Sequence, residues 1–163
     1  MEKQIIIING TGGSGKDTFV EFVSKYAPIT NVSSVDKVKE VAKVIGWNGQ
    51  KEDKDRKFLS DLKRLTTEYN DMAFVDISEK VEEFKNSDKE IMFIHIREPE
   101  EIDRAVNAFS AKTLLVRRKG LEAITTNYSD ASVENYTYDF YIINDTLEQL
   151  EEDAKKFAQE LKI

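Results

Sequence analysis

This sequence predicts an α/β fold with a mostly parallel sheet, and three observations carry that expectation. Strand-like and helix-like patterns alternate from end to end. Apolar residues make up 40% and charged residues 34% of 163 positions, enough for a core beneath a well-solvated surface. No repeat, low-complexity tract or Pro/Gly/Ser linker interrupts the alternation, and the length is that of one domain.

Each element has its own signature. Gln4 to Asn9 contains four consecutive isoleucines and ends in Asn-Gly, which reads as a strand buried on both faces. A helix is predicted from near Gly15 to about Tyr26, with Phe19, Val20, Phe22 and Val23 inward and Pro28 helping to stop it. Ile29 to Ser33 is a weak strand. Val35, Val38, Val41, Ala42 and Ile45 recur at helical spacing until Gly46-Trp47-Asn48-Gly49 breaks the pattern. Lys54 to Tyr69 is a second helical stretch, with Phe58, Leu59, Leu62, Leu65 and Tyr69 on one face. Met72 to Phe84 is a third, either separate from the second or continuous with it. Glu90 to Ile96 is a buried strand. Pro99 to Phe109 is a short helix whose Pro99, Glu98, Glu100 and Glu101 suit a helix start. Thr113 to Val116 is another buried strand, Gly120 to Tyr138 is polar and irregular, and Phe140 to Ile143 is the last strand. Thr146 to Leu161 closes the chain as an amphipathic helix, with Thr146 and Gln149 spaced as a capping box.

Composition excludes several classes of function. There is no cysteine, hence no disulfide, thiolate zinc site or cysteine nucleophile, and the single histidine excludes multi-histidine zinc sites. The 24 basic and 31 acidic residues give a net charge of −7, which argues against a nucleic-acid partner. No apolar run approaches a membrane span, and Ile5 to Ile8 is too short for a signal peptide. A cytoplasmic location and no membrane partner are therefore expected.

The most informative segment is Gly10-Thr11-Gly12-Gly13-Ser14-Gly15-Lys16-Asp17-Thr18. It matches G-x-x-x-x-G-K, with Asp17 where Ser or Thr is usual. The motif follows a buried strand and opens a helix, as its mechanism requires. Its glycines let the backbone wrap into an anion nest, the helix N-terminus adds positive potential, and Lys16 supplies a cation. ATP with Mg²⁺ is the expected occupant. Two assignments remain for Asp17. It holds magnesium, directly or through water, or else Thr18 takes that role while Asp17 meets the lysine or the acceptor.

Ser14-Gly15-Lys16-Asp17-Thr18 resembles the S-G-K-D loop variant of phage-type deoxynucleoside monophosphate kinases, a variant also found in animal-type phosphomevalonate kinases. Asp139-Phe140-Tyr141-Ile142-Ile143-Asn144-Asp145-Thr146-Leu147 is similar to the D-x-x-I-x-N-D-G-T-L ending of these kinases and of dephospho-CoA kinases, with the glycine missing. Ser129-Asp130-Ala131-Ser132-Val133-Glu134 resembles the S-D-H-x-S-E stretch of the deoxynucleotide kinases without its histidine. The resemblance touches both ends of the chain and does not extend through Trp47 to Lys89. It implies a three-layer P-loop NTPase fold with five mostly parallel strands and helices on both faces. It also implies transfer of the γ-phosphoryl group of ATP to a small phosphorylated acceptor, first a (deoxy)nucleoside monophosphate. Residues 1–163 would form one kinase domain, with a helical acceptor-binding region at 35–89 and a lid at 117–138. Such kinases often pair as homodimers.

Phosphoryl transfer needs further cations around the migrating group. Arg97 follows the strand ending at Ile96 and therefore faces the binding crevice. The related kinases often end this strand D-x-R. Here it reads His95-Ile96-Arg97, so Arg97 carries over as an acceptor-phosphate ligand, while His95 is expected to be a satisfied core or crevice histidine. The bland alternative for Arg97 is an ion pair with Glu100 or Glu101. Arg117, Arg118 and Lys119 follow the next strand. Arg117 is the candidate for transition-state charge and Arg118 for nucleotide phosphate, with only one of the two expected to act; the alternative is a solvated loop pairing with Glu122. Asp36 either orients the acceptor, as a base or otherwise, or simply sits near a helix dipole. Arg56 is an acceptor-phosphate candidate. Trp47, Phe58 and Tyr69 are read as core more readily than as base-stacking groups. Asn144 lies where these kinases hold adenine, with helix capping as its alternative. Competing functions are a kinase for another acceptor, such as dephospho-CoA or a phosphorylated metabolite, and a non-catalytic nucleotide-binding module. A GTPase switch is disfavoured because N-K-x-D is absent.

Overall fold

The computed structural model describes residues 3–11, 13–119 and 136–160. Among these residues five strands are present: β1 (Gln4–Asn9), β2 (Ile29–Ser33), β3 (Ile91–His95), β4 (Lys112–Arg118) and β5 (Phe140–Asn144). Six helices accompany them among the described residues: α1 (Lys16–Ser24), α2 (Asp36–Val44), α3 (Asp53–Asn70), α4 (Met72–Lys85), α5 (Pro99–Phe109) and α6 (Leu147–Glu160). The strands form one sheet in the order β2-β3-β1-β4-β5. β1 pairs in parallel with β3 and β4, and β4 with β5. This is the expected α/β class. Two compact units make up the chain, Met1–Asn31 with Phe84–Ile163, and Val32–Glu83.

The first unit explains the isoleucine run. Alternate β-strand side chains point to opposite faces. Ile6 and Ile8 join Phe93, Leu114 and Val116 in a core closed by Phe19, Val20 and Val23 of α1 and by Leu150, Ala154, Phe157 and Ala158 of α6. Ile5 and Ile7 turn to the other face, where α5 packs on β1 and buries Ile102 and Ala105. A strand covered on both sides loses its polar alternation, which is why β1 reads as a continuous apolar run.

Phe157 ties the first layer together. Its ring meets Phe19 at 5.6 Å and Phe140 at 5.4 Å between centroids, edge-on, and lies 6.3 Å from Phe93 in a stacked arrangement. Phe157→Ala is expected to cost about 3–5 kcal/mol of unfolding free energy. Denaturant melts of the two proteins check this, and a loss below about 1 kcal/mol would show that the surrounding rings collapse into the gap.

Element boundaries follow the local chemistry. α6 starts where Thr146 Oγ1 accepts from the Gln149 backbone N–H at 3.1 Å. α3 and α4 are separate helices because Asp71 between them adopts a left-handed conformation, φ 57°. β4 runs two residues further than its apolar stretch. Arg117 and Arg118 belong to the strand, in register with Ile143 and Asn144, because pairing with β5 continues past the last buried residue, Val116.

In the second unit α2 is half the length of α3, nine residues against eighteen. The only residue α3 buries is Asp55, which accepts from the Glu52 backbone N–H at 3.1 Å. Leu65 and Tyr69 are 59% and 85% exposed, so the reading of Phe58 and Tyr69 as core is corrected; Phe58 is 36% exposed. A nine-residue helix spans roughly half of an eighteen-residue one and cannot cover its full face. Lys80 bridges Asp76 at 2.9 Å and Asp36 at 3.8 Å. Burial alone would lower the Lys80 pKa, but Asp76, Asp36 and Glu40 outweigh it and hold it above the ordinary lysine value.

Candidate functional site

The glycine-rich loop connects the buried end of β1 to the first residue of α1. Inside it the Ser14 backbone N–H donates to the Thr11 carbonyl at 3.0 Å, closing a tight turn. Gly15 forms the N-cap of α1 in a left-handed conformation, φ 95°, and no side chain caps the helix. The amides of the first turn of α1 therefore keep their positive end at the loop. Lys16 is the first helical residue, Asp17 is exposed beside it, and Thr18 is half-buried.

Donors from β4 and β5 hold the loop from outside. Asn144 Nδ2 donates to the Ser14 carbonyl at 3.1 Å, and Arg118 Nη1 lies 3.4 Å from the Gly13 carbonyl. Two negative carbonyl ends of the loop are thereby engaged by donors. The Asn144 amide also fills the space that a Gly15 side chain would need. Gly10 is confined differently. A Cβ there would lie 2.8 Å from the Val116 carbonyl of β4 and 2.5 Å from Ser14 Oγ. Ser14 itself is 1% exposed, and its hydroxyl has no hydrogen-bond partner among the described residues.

Several predicted residues therefore gather at this junction: Gly10, Thr11, Gly13, Ser14, Gly15, Lys16, Asp17 and Thr18 in the loop and helix, with Arg118 and Asn144 supporting them. Gly12 lies outside the described residues, as does the lid region from 120 to 135 together with Glu122. Arg117 takes the opposite side of β4 from Arg118, since alternate residues of a strand face opposite ways. Its guanidinium sits 5.0 Å above the Tyr141 ring. Lys119 pairs with Asp145 at 3.5 Å. Arg97 lies just past β3, where its carbonyl accepts from Asn9 Nδ2 at 3.2 Å. His95 Nε2 is 2.7 Å from Asn31 Oδ1, a hydrogen-bonded histidine as expected.

Asp36 and Arg56 belong to the 32–83 unit. Asp36 begins α2 and accepts from the Ser33 backbone N–H at 2.8 Å, besides pairing with Lys80. Arg56 stands in the first turn of α3, and its Nε donates to the Lys51 carbonyl at 3.2 Å.

Sequence reasoning missed the supporting group. Asn9 and Tyr138 are 0% and 4% exposed and hydrogen-bonded to each other. Tyr136 donates to Asp103 at 2.7 Å, and burial together with that bond raises its pKa well above the usual tyrosine value. A polar residue closing an apolar strand, Asn9 after four isoleucines, was the available signal. Among the described residues no group of three or more His, Asp or Glu side chains could hold a metal ion, and no helix is long and apolar enough to cross a membrane.

Comparison with solved structures supports the fold. A candidate kinase from Chloroflexus aurantiacus superposes with a TM-score of 0.53 at 12% identity, covering 99% of this chain and 98% of that one. Shikimate kinase from Aquifex aeolicus gives 0.47 at 12% identity, covering 96% of each chain. TT1252 from Thermus thermophilus gives 0.48 at 18% identity, covering 99% of each. At these identities the first match speaks for a shared fold, and the scores of the other two are too low to add to it. No protein-family model and no curated protein matches the sequence.

Proposed function

We propose that the chain is an ATP-dependent phosphotransferase that moves the γ-phosphoryl group of MgATP to a small phosphorylated acceptor, with a nucleoside monophosphate as the first candidate. The observation that carries this reading is the junction of β1 and α1. A G-x-x-x-x-G-K loop leaves a buried strand, its flanking glycines have no room for side chains, and it opens an uncapped helix end beside Lys16. Backbone N–H groups and a helix N-terminus suit polyphosphate, and the buried, unpartnered Ser14 hydroxyl is a further polar atom at the same place.

The residues present fit the nucleotide and its metal. Gly10, Thr11, Gly12, Gly13, Ser14 and Gly15 would hold the phosphates through the backbone, and Lys16 would neutralise charge on the β- and γ-phosphates. Asp17 and Thr18 offer hard oxygen donors to Mg²⁺, which usually takes few protein ligands and keeps several waters. Bound magnesium would offset charge on the phosphate oxygens. Arg118, with Asn144, would keep the loop in shape while adding a cation near the nucleotide. Arg97 would stabilise charge on the acceptor phosphate, and Asp36 and Arg56 are the candidates for acceptor recognition; of the β4 pair it is Arg118, beside the Gly13 carbonyl, that takes the phosphate role, and Arg117 stays over Tyr141. Transfer would be direct, by in-line displacement without a covalent enzyme intermediate.

A coupled ADP-release assay with MgATP tests the reading. The acceptor panel comprises deoxy- and ribonucleoside monophosphates, dephospho-CoA and phosphomevalonate. ADP release that depends on one acceptor class is the expected result and names the substrate. Release that is indifferent to every acceptor would instead mark a hydrolase, and binding without turnover a nucleotide-binding module.

A further inference from the structure

The β1–β3 ladder ends at Ile8 and His95, and beyond it one side chain continues the connection. Asn9 is fully buried, and its amide makes three hydrogen bonds to three different parts of the chain. Oδ1 accepts from the backbone N–H of Gly10, the first loop residue, at 2.8 Å. Nδ2 donates to the Arg97 carbonyl at 3.2 Å and to the Tyr138 hydroxyl oxygen at 3.0 Å. Both amide protons and the carbonyl oxygen are thus used. Tyr138 is a fixed acceptor, because its ring packs edge-on against Tyr141 at 5.9 Å and its backbone N–H donates to the Tyr141 hydroxyl at 2.9 Å.

We propose that Asn9 is a positioning residue that sets the start of the phosphate loop against the Arg97 segment, with the Tyr138 hydroxyl as its anchor. The inference rests on the MgATP reading above. An apolar residue of similar size would suit the end of a buried strand as well for packing. It would leave the Gly10 N–H and the Arg97 carbonyl without their partner and the first loop peptide free to rotate. Most buried polar groups are hydrogen-bonded, and here every polar atom of the Asn9 amide is.

Calorimetric titration with MgATP tests the proposal on the full chain, using wild type, Lys16→Ala, Asn9→Ala, Asn9→Asp, Tyr138→Phe and the Asn9→Ala/Tyr138→Phe double variant. Thermal melts without ligand run in parallel. Asn9→Ala is expected to weaken MgATP binding about tenfold and Tyr138→Phe about threefold, as buried hydrogen bonds are lost. The double variant should fall about tenfold rather than about thirtyfold, since the two groups act as one unit. Asn9→Asp keeps the acceptor for Gly10 and, because the Tyr138 hydroxyl can turn to donate to the carboxylate, the link to Tyr138, but it loses the donor to the Arg97 carbonyl; weaker MgATP binding than its change in melting temperature accounts for supports the positioning role, and the variant stands in if Asn9→Ala fails to fold. Lower melting temperatures with wild-type MgATP affinity would make Asn9 purely structural and overturn the proposal, as would strictly multiplicative losses. Wild type that does not bind MgATP, or binds it no better than Lys16→Ala does, overturns the nucleotide reading itself.

Discussion

Lys16→Ala is expected to lower acceptor-dependent phosphoryl transfer by at least about 10²–10³-fold while the fold is retained. Lys16 is the first residue of α1, so its backbone is helical and needs no special side chain there. Alanine is the best helix former, and the substitution therefore removes charge without disturbing α1. What is lost is the one cation within the loop, set where the β- and γ-phosphates would lie. A fixed cation aimed at developing charge stabilises the transition state more than the ground state. Initial rates over a range of MgATP concentrations, with circular dichroism as the fold control, check the expectation. Transfer at the wild-type rate would remove the phosphate-loop assignment.

Gly10→Ala should be the second large effect, for a different reason. The added Cβ would meet the Val116 carbonyl at 2.8 Å and Ser14 Oγ at 2.5 Å. The serine side chain is confined by burial, and the Val116 carbonyl belongs to a strand paired on both sides. The loop, not the sheet, must therefore give way. Overpacking at a confined site costs about 1–3 kcal/mol. Borne by the loop's binding conformation, that converts to roughly 5- to 150-fold weaker MgATP binding. Titration calorimetry reads the change, and affinity within twofold of wild type would show that the loop has slack. The Gly10 and Lys16 substitutions should also differ in kind. The first spoils the shape of the cradle and appears chiefly in nucleotide affinity, whereas the second removes charge and appears in turnover as well as in affinity.

Much of the fold was readable because the relevant signals are local. Four isoleucines before a glycine-rich turn identify a central strand, and Thr146 with Gln149 marks the start of α6. The phosphate loop was readable because its requirement for glycine is a property of its own backbone. Legibility ended where a role depends on distant residues. Nothing near Asn144 in the chain points to Ser14, 130 positions away, yet its amide holds that carbonyl. Arg117 and Arg118 look alike in sequence; pairing with β5 placed them in the strand, and alternation sent one to the Gly13 carbonyl and the other over Tyr141. The stripe Phe58, Leu62, Leu65 and Tyr69 has the spacing of a core face. Periodicity reports which residues share a side of α3, not how much of that side a neighbour covers.

The side chain of Thr113 and the residue ahead of β5 make a reciprocal clasp. Asp139 Oδ2 accepts from the Thr113 backbone N–H at 2.9 Å and from its hydroxyl at 3.2 Å, and the Asp139 N–H donates to Thr113 Oγ1 at 2.8 Å. The clasp works as a zero mark for an edge strand. Among the described residues β5 has a neighbour on one side only, and a slip of one residue would exchange its two faces. Ile143 would then stand where Asn144 now meets the phosphate loop. By fixing the count at the near end of β5, Asp139 delivers the correct residue to the far end, whatever the length of the segment that joins β4 to β5.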